Sequence, residues 1–421
     1  MSKKYYFSSL NPSREGKGTV ASPFTSLSSL RNIELEKGDE ILLRRGSVFM
    51  GEYIHIHNTD GITVSSYGKG PRAVIDARGN GVWLQDYGTP LDNPNHRYRA
   101  EVSSTILLYD SNDIRVENIE VRNSGVEIEH YSDALRMPRT GIAVTARNRG
   151  TVRNTTIENV FIRDVRGNVY DKHLSNGGIY FTSLKPDEGN PLIPRFDSVH
   201  ITGCFLRNVS RWGIAVAYTY LWEKFAGTET SEETFRQYGN TNVRIDNCYV
   251  KEAGGDAVTV MYALAPVVSY CRSDGAAEEM NDRLYREPLK RKGKVAAAIW
   301  PWKCLDAVFE FNEVYDTRLN QDGMAYDADS GWNTVYRHNY SHANEGGAVM
   351  FCLEEAVSSV YEDNISDDDL GGVLSPSGCP DGIIRNNTIY RRKSTPLMRK
   401  RMSDGKAEIE NNSEIIIERK R

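Results

Sequence analysis

The stretch FEFNEVY at residues 309–315 recurs as YRHNYSH at 336–342, YEDNISD at 361–367 and IRNNTIY at 384–390. Each copy places an asparagine between residues that favour strands. With a last copy near the C-terminus, the series is Asn312, Asn339, Asn364, Asn387 and Asn412, at intervals of 27, 25, 23 and 25 residues. A period near 25 with two or three short strands in it describes one coil of a solenoid. Each strand then pairs in parallel with its counterpart one coil away, about 4.8 Å along the axis. The asparagines are predicted to stack at an inside turn and to hydrogen-bond along the axis as an amide ladder.

Earlier segments carry the same rhythm in VENIEV, IENVFI and RIDNCYV. A second motif, Gly or Ala followed by alternating apolar residues, lies between these segments. It reads TGIAVTA (140–146), GGIYFTS (177–183), WGIAVAY (212–218), GDAVTVM (255–261), AAAIWPW (296–302), DGMAYDA (322–328), GGAVMFC (346–352) and GGVLSPS (371–377). The fold expected is all-β: a right-handed parallel β-helix forming one domain over 1–421. Residues 1–50 should hold an N-terminal cap helix and a first strand, and 103–415 the coils. A cap is required because stacked strands otherwise end in an open hydrophobic edge. SEIIIERKR at the C-terminus reads as a last strand.

Interruptions of the period fall at 84–102, 184–196, 219–241 and 276–294. In solenoids such insertions gather on one face. The stretch 219–241 follows the GIAVAY strand and 276–294 precedes AAAIWPW, so both should wall a groove along one sheet, where function tends to sit.

Composition excludes some classes of function. The net charge of -5 gives no basic footprint for nucleic acid. No apolar run is long enough to span a bilayer. The N-terminus opens with a lysine pair but has no apolar segment or cleavage site of a signal peptide, which predicts a cytoplasmic protein. The six cysteines form no CxxC pair and read as small buried hydrophobes in a reducing compartment. Oligomeric state is not legible, although no coiled coil is present. No HExxH, GxGxxG or GxSxG arrangement occurs, so no cofactor is expected. A Ca²⁺ could sit at DADSG (327–331) or SDDD (366–369), but neither is a complete EF-hand loop.

Acids and aromatics converge on the sheet built by the second motif. In DGMAYDADS, alternation places Met324 and Tyr326 inward, with Ala325 and Asp327 outward. Trp300 should match Asp327 one coil earlier, and Phe351 one coil later. An aspartate in mid-sheet runs against strand preference, which points to function. Asp329 follows it. Glu345 and His342 lie in SHANEGG, Glu354 follows GGAVMFC, and Asp367, Asp368 and Asp369 precede GGVLSPS. Asp256 and Asp322 begin their strands and read equally well as turn formers. Trp300, Trp302 and Tyr262 offer faces for sugar stacking or for packing beneath an insertion.

Carboxylates over aromatic platforms suit a glycosidase, in which one acid donates a proton and the other acts as base or nucleophile. Catalytic candidates are therefore Asp327, Asp329, Glu345 and one aspartate of the run 367–369. Candidate substrate contacts are Trp300, Trp302, His342, Tyr262, Asp256, Asp322 and Glu354. The partner expected is an oligosaccharide.

The opening GTVASPFTSLSSL…LEKGDEILLRRGSVF resembles bacterial pectate-lyase-like β-helix proteins. The run GGDAVTVM…AAAIWPWKCLDAVFEFNEVYDT…DGMAYDADSGWNTVYRHNYSHANEGGAVMFC is similar to glycoside hydrolase family 141. That resemblance implies fucosidase- or xylanase-type hydrolysis and a pair of catalytic aspartates on neighbouring coils, which match Asp327 and Asp368 here. Two coils put that pair about 9–10 Å apart, near the separation of an inverting enzyme. Exo-cleavage with inversion is the expectation. The rivals are a uronate lyase or epimerase using Arg337, His338 or His342, and a β-helix that binds carbohydrate without turning it over.

Overall fold

The computed structural model describes residues 2–10, 16–94, 96–125, 136–280, 295–400 and 403–418. Three sheets of 14, 12 and 11 strands run the length of the molecule, each adding one parallel strand per coil. The result is the expected parallel β-helix, with the right-handed sense of parallel crossovers. Coils begin at Glu40–Arg44, well before residue 103. Lys4–Phe7, which the periodicity did not reveal, adds a strand in front of them. The cap is a 3₁₀ turn over Leu27–Asn32. The Ser26 side chain accepts from Ser28 N, and Leu27 is driven into the open end of the core. Among the described residues no helix is long and apolar enough to cross a membrane.

The interior is a single column of β-branched and aromatic side chains. Each asparagine of the ladder donates its Nδ2 to the Oδ1 of the next: Asn312 to Asn339 and Asn339 to Asn364 at 3.0 Å, Asn364 to Asn387 at 3.1 Å, and Asn387 to Asn412 at 2.9 Å. The same turn position is filled in earlier coils by Cys271, Cys248 and Cys204, whose thiols face the carbonyls that the amides face later. All six cysteines are free, and only Cys352 is not fully buried. Asn118, Asn159 and Asn247, which shared the sequence motif, stand one residue earlier in left-handed turns and belong to a separate column.

Glycines open the strands of the 11-stranded sheet because the coils touch there. A Cβ on Gly177 would meet the Trp212 carbonyl oxygen at 2.0 Å. One on Gly347 would meet that of Gly372 at 2.1 Å, and both glycines hold positive φ.

The insertions gather over this sheet. Val82–Asp86 pairs antiparallel with Arg99–Tyr109 and covers the early coils. The stretch 219–241 folds into Trp222–Phe225 and the helix Glu232–Tyr238. Phe225 and Phe235 pack on Tyr262 and Trp332. Of the 276–294 insertion, residues 281–294 lie outside the described residues.

Candidate active site

The outer face of the 11-stranded sheet is a second apolar layer, where Trp212, Tyr218, Met261, Tyr262, Trp300, Met324 and Met350 pack under the insertions. This layer corrects two expectations. Met324 faces outward, and Ala325 and Tyr326 both face the core, so alternation slips at the strand entrance. The partner of Asp327 one coil later is Met350, and Phe351 pairs with Ala328 inside. Trp300 precedes Asp327 in register, as expected.

Three carboxylates occupy one coil of this face. Asp327 and Asp329 lie on the strand Tyr326–Asp329, and Asp322 enters it. Asp327 is 2% exposed, and its Oδ1 has no hydrogen-bond partner among the described residues. Asp322 and Asp329 keep partial contact with solvent. No Lys or Arg among the described residues forms an ion pair with any of the three. Burial and then the charges of Asp329, Asp322 and Asp256 push Asp327 far above the carboxylate range. Burial and then Asp329 push Asp322 up to about 7, against Arg399. Burial pushes Asp329 up to about 6, against the Ser330 hydroxyl (2.9 Å) and the charges of Lys172 and Lys303. Like charges in a desolvated cluster keep protons at neutral pH.

Aromatic groups and cations wall the cluster. Trp300 and Trp302 meet edge to face at 5.9 Å, and Trp302 is partly exposed. Asp256 is tied down: it accepts from Ala297 N (3.1 Å) and Trp300 Nε1 (3.0 Å) and pairs with Arg211. It fixes the Trp300 ring and does not touch solvent. Tyr262 is likewise buried, beneath Phe225.

The remaining candidates lie elsewhere. Asp368 follows a strand of the 12-stranded sheet, and Arg392 Nε holds its Oδ1 at 2.7 Å. It is not a partner for Asp327, because it sits on another side of the coil with its charge already matched. Asp369 is locked by Ser341, Ser366 and Asn344. Glu345 caps a turn by accepting from Leu319 N (2.8 Å). Glu354 is exposed on a turn, and its neighbour Glu355 instead reaches Lys303 (2.8 Å) at the edge of the cluster. His342 stacks on Tyr315 and His338 on Phe311, while Arg337 pairs with Glu310. The bases a lyase would need are therefore parts of ladders on the other two sheets.

Several residues of the site escaped sequence reading. Lys172 is 5% exposed, with its ammonium 5.0 Å from the Trp302 ring. His173 lies 3.2 Å from Asp92, and burial lowers its basicity. Arg399 donates to the carbonyl oxygens of Asp322 (2.9 Å) and Gln321 (3.0 Å). The only signal for Lys172 and His173 was a polar break before GGIYFTS. Asp92 and Arg399 arrive from far along the chain and left none. A separate cleft of about 690 Å³ lies by the cap, lined by Arg31, Tyr53 and His57 together with Glu34, Glu52 and Asp60.

Fold and site together define a pectate-lyase-like β-helix that carries a crowded acid cluster under aromatic walls. No protein-family model matches the chain. It is 49% identical to a solved lacto-N-biosidase of family GH136 from Eubacterium ramulus, with a TM-score of 0.95 over 99% of this chain and 68% of that one. It is 38% identical to the lacto-N-biosidase of Bifidobacterium longum subsp. longum over 97% of its own length. It spans only 28% of that curated relative. A rhamnogalacturonan lyase, 13% identical with a TM-score of 0.53 over 99% of this chain and 90% of that one, shares the fold alone. The chain belongs to glycoside hydrolase family 136. The resemblance to family 141, with its fucosidase or xylanase activity, is not upheld.

Proposed function

We propose that this chain is the catalytic β-helix of a lacto-N-biosidase, a glycoside hydrolase that frees the disaccharide lacto-N-biose from the end of an oligosaccharide. The observation that carries the reading is the three-carboxylate cluster on one coil, none of whose members is in an ion pair with a Lys or Arg among the described residues. A cluster of this kind destabilises a fold, and a module that only bound sugar would have no use for it. The likeness to two lacto-N-biosidases supports the substrate class.

The pair that performs the reaction is Asp322 and Asp329, the two members that reach solvent. Asp322, the more readily protonated, donates its proton to the leaving oxygen as the glycosidic C–O bond breaks. Asp329 attacks the anomeric carbon and forms a glycosyl ester. Water then displaces Asp329, returning a proton to Asp322. Asp327 lies beneath them and raises the proton affinity of the cluster. Inversion rested on a two-coil separation from Asp368 and loses its basis. Acids drawn from one coil suit the shorter spacing of a retaining pair. Trp302 offers its partly exposed ring to a sugar face, with Lys172 beside it.

The test is release of p-nitrophenol from p-nitrophenyl lacto-N-bioside, with NMR of the first anomer formed. Turnover with retention, lost in Asp329→Asn and only slowed in Asp322→Asn with this aryl leaving group, in proteins that keep their melting transition, is the expected result. Inversion would overturn the roles given to the pair. Turnover only of uronates, with unsaturated products, would overturn the hydrolase.

A further inference from the structure

Cys352 ends the strand Val349–Cys352 and is the register partner of Asp329. Its sulfur and one carboxylate oxygen each from Asp327 and Asp329 all lie within 4.8 Å of one another. The other five cysteines are fully buried, and three of them fill the interior turn column, whereas this thiol is partly exposed beside the acid cluster. It takes no step in the hydrolysis described above. The independent observation is Asp327 itself: it is 2% exposed, its Oδ1 lacks any hydrogen-bond donor among the described residues, and its carboxylate faces this group. Of the two ammonium groups at the cluster edge, Lys303 is committed to Glu355 at 2.8 Å and Lys172 lies over the Trp302 ring at 5.0 Å. Two carboxylates and a thiol stand together, and no Lys or Arg among the described residues forms an ion pair with either carboxylate.

We propose that Asp327, Asp329 and Cys352 bind a thiophilic divalent cation of the Zn²⁺ or Cd²⁺ type, and that its binding shuts the hydrolase. A sulfur with two oxygens matches the donor set of such ions, with the fourth position left to water on the open side. Ca²⁺, the ion considered for DADSG or SDDD, takes six to eight oxygens, and a thiol cannot serve it. Metal–ligand distances of about 2.0–2.3 Å need the donors to close by roughly 1 Å, within reach of a side-chain rotation. Binding displaces the thiol proton, and any proton held on the carboxylates, to solvent, with no change of oxidation state. The bound ion would engage the oxygen of Asp329 that attacks the sugar. The inhibitory half of the inference therefore rests on the function proposed above, whereas the binding half does not.

The experiment is a titration of EDTA-treated protein with Co²⁺, followed by near-ultraviolet thiolate-to-cobalt absorption and displacement with Zn²⁺. Wild type should show a band that saturates at one equivalent. Cys352→Ser should lack it, and Asp327→Asn should need at least ten times more Co²⁺. In parallel, Zn²⁺ should inhibit wild-type hydrolysis, reversibly with EDTA. Cys352→Ser should stay active and tolerate at least ten times more Zn²⁺. No band in wild type, or the same band in folded Cys352→Ser, overturns the site. Equal Zn²⁺ sensitivity of the two proteins overturns the inhibition. A band in a chain that hydrolyses no glycoside supports the site and overturns the proposed function.

Discussion

Arg211 and Asp256 form an ion pair closed to solvent, with Nη2 3.1 Å from Oδ2 and each side chain 1% exposed. The pair lies behind Trp300, whose indole N–H it fixes, so the wall of the site depends on it. Burial raises Asp256 above its ordinary value despite the guanidinium beside it. Breaking such a pair leaves one charge unmatched, at a cost of about 3–5 kcal/mol. Asp256→Ala should lower stability by that order in urea denaturation. It should also weaken substrate binding through the released Trp300. A double replacement, Arg211→Met with Asp256→Leu, should recover much of the stability and little of the binding.

The pH dependence follows from the two accessible acids. In metal-free protein Asp329 must be ionised to attack, so kcat/KM falls as pH drops through about 6. Asp322 must hold its proton, so the rate also falls as pH rises through about 7. A narrow bell between these limbs is expected, its two values belonging to the coupled pair. Asp322→Asn should abolish the alkaline limb and cost about 10²–10⁴ in rate on natural substrates. The loss should be smaller for an aryl leaving group, which needs no proton.

The same proton affinity has a stability consequence. Asp322 rises from 3.8 to about 7 in the fold, so the folded state binds the proton more tightly than the unfolded chain. Stability therefore declines as pH climbs from the lower value through the higher one. Asp322→Asn should raise the melting temperature at pH 8, by about 0.5–2 kcal/mol of stability, and leave it unchanged near pH 3.5. Equal melting curves at both pH values would mean that the cluster carries no such strain.

The amide ladder gives a prediction with a spatial gradient. Asn364 accepts from Asn339 N (2.8 Å) and Nδ2 (3.0 Å) and donates to the Tyr336 carbonyl (3.0 Å), all buried. Asn364→Ala strands these groups without water and should cost about 3 kcal/mol. Asn412, at the end of the column and more exposed, should cost less when replaced. Urea midpoints of the two variants would decide this, with specific activity of the folded fraction unchanged.

The period, the parallel stacking of coils and the ladder could be read from sequence because each coil repeats the same local problem: a tight turn, an apolar inward residue and an amide whose partner is itself one coil on. Reading failed where the repeat does. Alternation counts one residue at a time, and the slip between Ala325 and Tyr326 moved Met324 outward and put Met350, not Phe351, beside Asp327. The cysteines at 204, 248 and 271 stand in the ladder column, a relation that residue identity hides. Lys172, Asp92 and Arg399 reach the cluster from loops and from coils far away along the chain, and no local pattern records a contact that the winding creates.

Asp368 tests how far sequence neighbourhood can stand in for spatial neighbourhood. It lies in a run of three aspartates just before a strand of the 11-stranded sheet, and the resemblance to family 141 implied its pairing with Asp327. The chain turns a corner in between. Arg392 takes up the charge of Asp368 on the 12-stranded sheet, and the next residue, Asp369, is consumed by Ser341 and Ser366. Losing the charge of a pair whose carboxylate is 8% and guanidinium 21% exposed, with the amide still able to hydrogen-bond, should cost about 1–2 kcal/mol. Asp368→Asn should accordingly keep kcat and KM within about twofold and lower the melting point only slightly, whereas Asp329→Asn should lose about 10³-fold or more in kcat. If Asp368→Asn instead lost activity to the same degree with its fold intact, the assignment of the reacting pair to one coil would fail, and the two-coil arrangement of an inverting enzyme would have to be restored.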